Sequence, residues 1–277
     1  MTANPTQQQE IFFHVGLGKT GTTFLQYRVF PKLKGLYYIQ RTRYKGAKQI
    51  ICRHRGERIL LSREFDQQLE AEVSAFSQDF PEVTPIVVFR RQDSYIASQY
   101  RRYVKNGYRG SFADFLDLEE DRGRFKLEHL RYMHTIQVLK QYFRQEPIVM
   151  IYEELLKNPE AFIGSLADRL SAEIELNMVD FSKKHTSYSE QQLKAMQWAG
   201  RFINLRKRQI FKNEVLHLFW RLGLGSVRYS ILFVARWLPT SWFRSEPLIP
   251  KEALEKVRLT YEADWEACMA LSSKQRQ

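Results

Sequence analysis

The stretch that decides the fold is Ile11–Gln26, "IFFHVGLGKTGTTFLQ". Its first six residues are an apolar run of the kind that makes a strand buried on both faces. Glycines and threonines follow, and from Thr22 the pattern reads as a helix. Strand, Gly-rich loop and helix in that order open an α/β domain. The spacing comes close to the phosphate-binding pattern G-x-x-x-x-G-K-[ST]. Gly16 and Gly21 keep the four-residue gap, and Thr23 stands at the Ser/Thr position. Thr22, however, fills the lysine's slot, and the lysine appears three residues earlier as Lys19.

A loop between a buried strand and a helix presents unpaired backbone N–H groups at the positive end of the helix dipole, where an anion is stabilised. Gly16, Gly18 and Gly21 are expected to let the backbone turn around that anion. Thr20, Thr22 and Thr23 add hydroxyl donors, and Lys19 is placed to reach across the loop to a group beyond a bound phosphate. A kinase or NTPase also needs a magnesium-binding carboxylate at the end of a neighbouring strand. Here the strand "TPIVVFR" (Thr84–Arg90) ends in Arg90-Arg91, and "RILLS" (Arg58–Ser62) leads into Arg63-Glu64. A cation at a strand end points to a second phosphate held directly by the protein, in a site read as free of metal.

The rest of the chain fits a parallel sheet covered on both faces. "PIVMIY" (Pro147–Tyr152) is a fourth strand. Helices are predicted over 66–77, 93–104, 125–143 and 158–170, the last with Pro159 in its first turn. Beyond Ser189 only helical patterns are found. The prediction is a single domain over 1–277 with a three-layer α/β/α, P-loop-like fold. It divides into a nucleotide-binding core at about 11–185 and a helical C-terminal extension at about 186–277.

Net charge is +12, unevenly spread. Residues 1–58 hold eleven Lys/Arg against two acids, and residues 201–258 hold twelve against four. Two basic regions on an otherwise acidic chain suit anionic ligands, an anionic acceptor or an anionic membrane surface. The two cysteines, Cys52 and Cys268, have no metal or disulfide spacing. The stretch "SILFVARWLPTSWF" is interrupted by Arg236 and Pro239 and is too short to cross a bilayer. These features predict a cytoplasmic protein.

The loop has a wider context. "KTGTT" at Lys19–Thr23, the pair Arg90 and Ser98 eight residues apart in "RRQDSYIASQY", and "IYEELLKNP" from Ile151 occur in one order over more than half the chain. Together they resemble the sulfotransferases that use 3′-phosphoadenosine 5′-phosphosulfate, and most closely the bacterial and carbohydrate-type members. The resemblance implies that Lys19 contacts the transferring sulfonate and the bridging oxygen. It implies that Gly18, Thr20, Gly21, Thr22 and Thr23 cradle the 5′-phosphate, and that Arg90 and Ser98 hold the 3′-phosphate. It sets Phe24 and Tyr152 beside the adenine. The family's R-N-P is R-R-Q here, and its late basic segment is absent, which leaves Arg206–Arg208 as a substitute clamp.

The implied reaction is sulfonate transfer to a hydroxyl of a carbohydrate or glycolipid by in-line displacement. The general base is the residue least constrained by the pattern. Glu64 is the first choice, because its strand should end on the side of the loop. His54, flanked by three arginines, is the second, and His14 reads as structural. Glu153 or Glu154 is expected to brace the following segment. Competing readings are a P-loop kinase, a non-catalytic nucleotide binder of the same fold, and a nucleic-acid-binding protein, for which no motif is present. The basic–aromatic segment Arg201–Arg244 has two open readings. One is a helical cap with its aromatics packed on the sheet, and the other is a peripheral contact with the inner membrane face.

Overall fold

The computed structural model describes residues 9–182, 188–206, 211–243 and 245–275. Its centre is a five-stranded, all-parallel sheet in the order β2-β3-β1-β4-β5. The strands are β1 (Ile11–Gly16), β2 (Tyr37–Ile39), β3 (Ile59–Phe65), β4 (Thr84–Phe89) and β5 (Ile148–Ile151). The helices are α1 (Thr22–Phe24), α2 (Ala47–Arg53), α3 (Leu69–Ser77), α4 (Gln92–Lys105), α5 (Phe112–Phe115), α6 (Tyr132–Tyr142), α7 (Tyr152–Lys157), α8 (Pro159–Arg169), α9 (Glu190–Ala199), α10 (Glu214–Val234), α11 (Lys251–Thr260) and α12 (Glu262–Lys274). After α1 the chain continues as a π-helical turn, Leu25–Val29, and a 3-10 turn, Phe30–Lys32.

The apolar strand runs are explained by burial on both faces. On one face Phe12, Leu60, Ile86, Val88 and Met150 join a cluster with Leu25, Val29 and Phe30 from the turns after the loop, and with Phe162, Ile163 and Leu166 of α8. On the other, Phe13 packs at 4.7 Å on Phe76 of α3 and edge-on to Phe65, with Tyr44 stacked over it. β1 is central, with β3 on one side and β4 on the other. The connection from β3 to β4 therefore passes over β1, and this reversal of strand order opens a crevice at the carboxyl ends of the strands. The glycine-rich loop emerges there.

The described chain falls into two compact units. One comprises residues 9–92, 128–182 and 260–275 and holds the sheet; the other comprises 93–127, 188–206, 211–243 and 245–259 and is helical. The sheet unit is not one continuous segment, because α12 returns to it from the C-terminus. Gln275 accepts from Val149 N (3.0 Å) and Ser272 donates to Val149 O (3.1 Å), both on β5. The helix expected over 125–143 is divided into a 3-10 turn, Leu127–Leu130, and α6. Arg131 between them is extended. The tertiary cause is Asp264 of α12, whose carboxylate accepts from the N–H groups of Tyr132 (2.8 Å) and Met133 (3.1 Å) and so starts a new helix there.

In the helical unit, Tyr100, Tyr108, Phe112, Phe115 and Phe125 form an aromatic cluster. Capping boxes at Ser111/Asp114 and Ser189/Gln192 start α5 and α9. Asn213 caps α10 through the N–H groups of Val215 and Leu216. Several aromatics of the late segment are not packed away: Phe233, Trp237 and Trp242 are exposed, whereas Trp220 and Phe243 are half-buried. Lys207, Arg208 and Arg244 lie outside the described residues.

Candidate active site

The loop between β1 and α1 turns through three residues in the left-handed region, Gly16 (φ 128°), Lys19 (φ 73°) and Gly21 (φ 81°). Gly18, expected to share that work, is not among them. Gly16 is required because a Cβ there would stand 2.9 Å from Phe65 O of β3. Gly21 is required because a Cβ would meet Leu155 at 2.6 Å and the Tyr152 ring at 3.3 Å. Lys19 is the exception, a side-chain-bearing residue in a conformation that costs roughly 1–2 kcal/mol. Its side chain is exposed at the top of the loop.

Two of the expected hydroxyl donors are already engaged. Thr20 is buried and donates to Leu17 O (2.5 Å), closing the loop on itself. Thr22, also buried, donates to Glu64 Oε2. Thr23 is exposed. The Thr20 and Thr22 hydroxyls thus hold the shape of the loop, which leaves backbone N–H groups as the donors these two residues can offer. Phe24 is half-buried, packed against the core cluster and 6.1 Å from the Phe181 ring.

Glu64 stands beside the loop, as expected of a residue late in β3. Its second oxygen accepts from Arg41 Nη1 at 3.1 Å. Arg41 was not singled out from the sequence, because β2 has only three residues and gives too short an apolar signal. Its position two residues past β2 sets it on the same carboxyl edge as Glu64.

From β4, Arg90 donates to Lys19 O (3.3 Å), and its guanidinium lies over the Tyr152 ring, 4.9 Å from the centroid. Lys19, Gly21, Arg90 and Tyr152 therefore meet at one point. The segment carrying Arg90 is fixed from three directions. Tyr132 OH donates to Arg90 O, Arg91 N donates to Glu153 Oε1 (3.0 Å), and Gln92 Nε2 donates to Asp264 Oδ2 (2.9 Å). Glu153 thus braces the Arg90 segment, whereas the expectation for this pair of acids is a brace for the segment that follows them. Tyr132 and Asp264 had no local signal in the sequence. Ser98 lies half-buried on α4 in the helical unit.

His54 is a correction. It follows α2 and precedes β3, with its ring stacked on Tyr37 at 3.7 Å and its Nδ1 2.9 Å from Glu57. Glu64 lies near the far end of β3, roughly 17 Å along the strand at about 3.3 Å per residue. His54 is therefore at the opposite edge of the sheet from the loop. His14 is structural, as expected. It is buried in β1 with Nδ1 2.8 Å from Ser62 Oγ, and burial pushes its pKa down to about 3.

No protein-family model matches the chain, and no curated protein matches it. Among solved structures it is similar to a sulfotransferase from Alicyclobacillus acidocaldarius, at 17% identity over 76% of this chain and 100% of that one, with a TM-score of 0.48. It is similar to mouse sulfotransferase SULT7A1 complexed with PAP, at 16% identity over 62% of this chain and 61% of that one, TM-score 0.43. A third is the sulfotransferase domain from the curacin biosynthetic pathway, at 14% identity over 63% and 77%, TM-score 0.39.

Proposed function

We propose that the protein is a sulfotransferase that moves the sulfonate group of 3′-phosphoadenosine 5′-phosphosulfate to a hydroxyl of a carbohydrate or glycolipid acceptor. The observation that carries this reading is Arg90. A kinase loop faces a carboxylate from the end of a neighbouring strand, whereas here β4 ends in a guanidinium bonded to the Lys19 carbonyl and stacked on Tyr152. The residues present fit such a donor. Gly21 lets the loop backbone pack closely against Leu155 and Tyr152, the loop N–H groups suit a 5′-phosphate, and Arg90 suits a second phosphate. Ser98 is proposed to join Arg90 there, Gly18 and Thr23 to complete the cradle, and Phe24 and Tyr152 to face the adenine. The free cysteines Cys52 and Cys268 are in keeping with the cytoplasm.

The chemistry asks the chain for positioning and charge. The acceptor oxygen bonds to sulfur as the bond from sulfur to the bridging oxygen breaks, and adenosine 3′,5′-bisphosphate leaves. Lys19 offsets the negative charge that grows on the bridging oxygen. Glu64 takes the proton of the acceptor hydroxyl, with Arg41 and Thr22 fixing its carboxylate. Each Glu64 oxygen keeps lone-pair capacity beyond these bonds.

A second reading has one observation in its favour. A loop threonine bonded to a carboxylate at the end of an adjacent strand, as Thr22 is to Glu64, is also what a kinase presents to magnesium. One experiment separates the two: thermal unfolding with adenosine 3′,5′-bisphosphate or with ATP, each with and without magnesium. A ligand at a hundred times its Kd stabilises the fold by about 2.7 kcal/mol. We expect stabilisation by the bisphosphate without metal, followed by transfer of sulfur label from the donor to polysaccharide or lipid extracts. Stabilisation only by ATP with magnesium would sink the sulfotransferase reading.

A further inference from the structure

Helix α10 buries Leu232 but leaves a second apolar face exposed. Its inward side carries Arg228, only 5% exposed, with its guanidinium donating to the carbonyls of Asn106 and Leu205. Its outward side carries Leu218, Phe219, Leu222 and Phe233, with Phe219 66% exposed, and runs on into Trp237 at 78%. Monomeric soluble proteins seldom expose a continuous apolar face of this kind unless something covers it.

The charge around the face narrows what that something is. Residues 201–244 hold nine Lys/Arg and a single acid, Glu214. Arg201, Lys212, Arg221 and Arg236 are exposed. A second copy of the chain would set two strongly cationic segments against each other. A nucleic acid would take the arginines and leave the aliphatic and aromatic side chains without a partner. An anionic bilayer surface matches both features: headgroups meet the cations, and the acyl boundary takes the apolar side chains, with tryptophan favoured at that depth. Among the described residues no helix is long and apolar enough to cross a membrane, so the fitting geometry is a helix lying in the interface.

We infer that the outward face of α10 and the Trp237–Trp242 turn dock on an anionic lipid surface. This proposal stands apart from the nucleotide reading, because its test needs no donor. The full chain would be co-sedimented with vesicles of phosphatidylcholine alone and of phosphatidylcholine mixed with phosphatidylglycerol, at low and high salt. The expected result is pelleting with the mixed vesicles, weakened by salt, with a blue shift of tryptophan fluorescence. Each cation near such a surface contributes roughly a fivefold factor, so the double variant Arg221→Gln, Arg236→Gln should bind on the order of 25-fold more weakly. Phe219→Ser with Phe233→Ser should abolish binding and leave the melting temperature unchanged, since both side chains are exposed. Three results would overturn the proposal. The first is no pelleting with mixed vesicles at low salt. The second is pelleting indifferent to the phenylalanine pair. The third is a lipid-free dimer in sedimentation velocity that this pair dissociates, which would make a second copy the occupant.

Discussion

Lys19 and Arg90 carry the same charge at one point of the molecule, yet their settings assign them different work. Arg90 is pre-organised by Tyr152 beneath it, the Lys19 carbonyl beside it and Tyr132 behind its own carbonyl. Such a cation meets charge already present on the ligand. A charge-assisted bond to phosphate contributes roughly 1.5–3 kcal/mol, so Arg90→Ala should weaken adenosine 3′,5′-bisphosphate about ten- to a hundredfold by calorimetry. Arg90→Lys should not restore it, because an ammonium cannot reproduce a planar group on the ring. Lys19→Ala should instead lower kcat more than it lowers donor affinity, because its partner charge develops during transfer. Equal losses in both variants, on both measures, would undo this division. His14 gives a prediction of another kind. Burial lowers its pKa to about 3, so the folded state keeps it neutral while the unfolded chain takes up a proton below about pH 6.5. Between those values the unfolded state binds more protons, and stability falls as pH falls. Over pH 6 to 4 the wild type should lose roughly 1 kcal/mol per pH unit more than His14→Gln, read from urea unfolding. Parallel stability curves would show that His14 is not the group responsible.

At the scale of elements, the loop is held by what it lacks. Gly21→Ala would place a methyl against Leu155 and the Tyr152 ring in a backbone region that L-residues avoid. The expected cost is on the order of 1–3 kcal/mol of stability, with loss of bisphosphate binding, because Tyr152 must move and Arg90 rests on it. A Gly21→Ala protein that unfolds and binds like the wild type would mean the loop is looser than its contacts imply. This loop is also where the sequence was most legible. β1 has the predicted bounds Ile11–Gly16, and β3, β4 and β5 fall on their predicted runs, since strands buried on both faces leave continuous apolar signals. The placement of Lys19, Glu64, Arg90 and Tyr152 at one end of the sheet was readable because each lies at or shortly after the end of a strand that could be seen. β2 was not, at three residues of which two are half-buried tyrosines, and Arg41 was missed with it. His54 was misplaced because residue type was weighed there without its strand end. The break at Arg131 was hidden because its cause, Asp264, lies more than a hundred residues away in sequence and local periodicity cannot report it.

For the whole molecule, the distant C-terminus completes what the N-terminal half begins. β5 is an edge strand, and its outer backbone groups would be open to pairing with another chain. α12 occupies that edge: Gln275 and Ser272 bond to Val149, and Arg169 ties Val149 O to Ser272 O and Gln275 Oε1. Earlier in the same helix, Asp264 joins the start of α6 to Gln92, on the segment that carries Arg90. Sheet edge and proposed phosphate clamp are therefore secured by one helix. Deleting residues 262–277 should leave little soluble protein, since an edge strand and the start of α6 lose their partners together. Asp264→Ala is the finer test. Losing a carboxylate that satisfies two helix N–H groups and an amide should cost roughly 1–3 kcal/mol in urea unfolding. Because the same carboxylate steadies Gln92, and α6 supplies Tyr132 to Arg90 O, bisphosphate affinity should drop severalfold as well, although Asp264 bonds to none of the loop residues. Measured at a temperature where the variant is fully folded, a loss of stability with unchanged affinity would show that α12 supports the sheet without steadying the clamp.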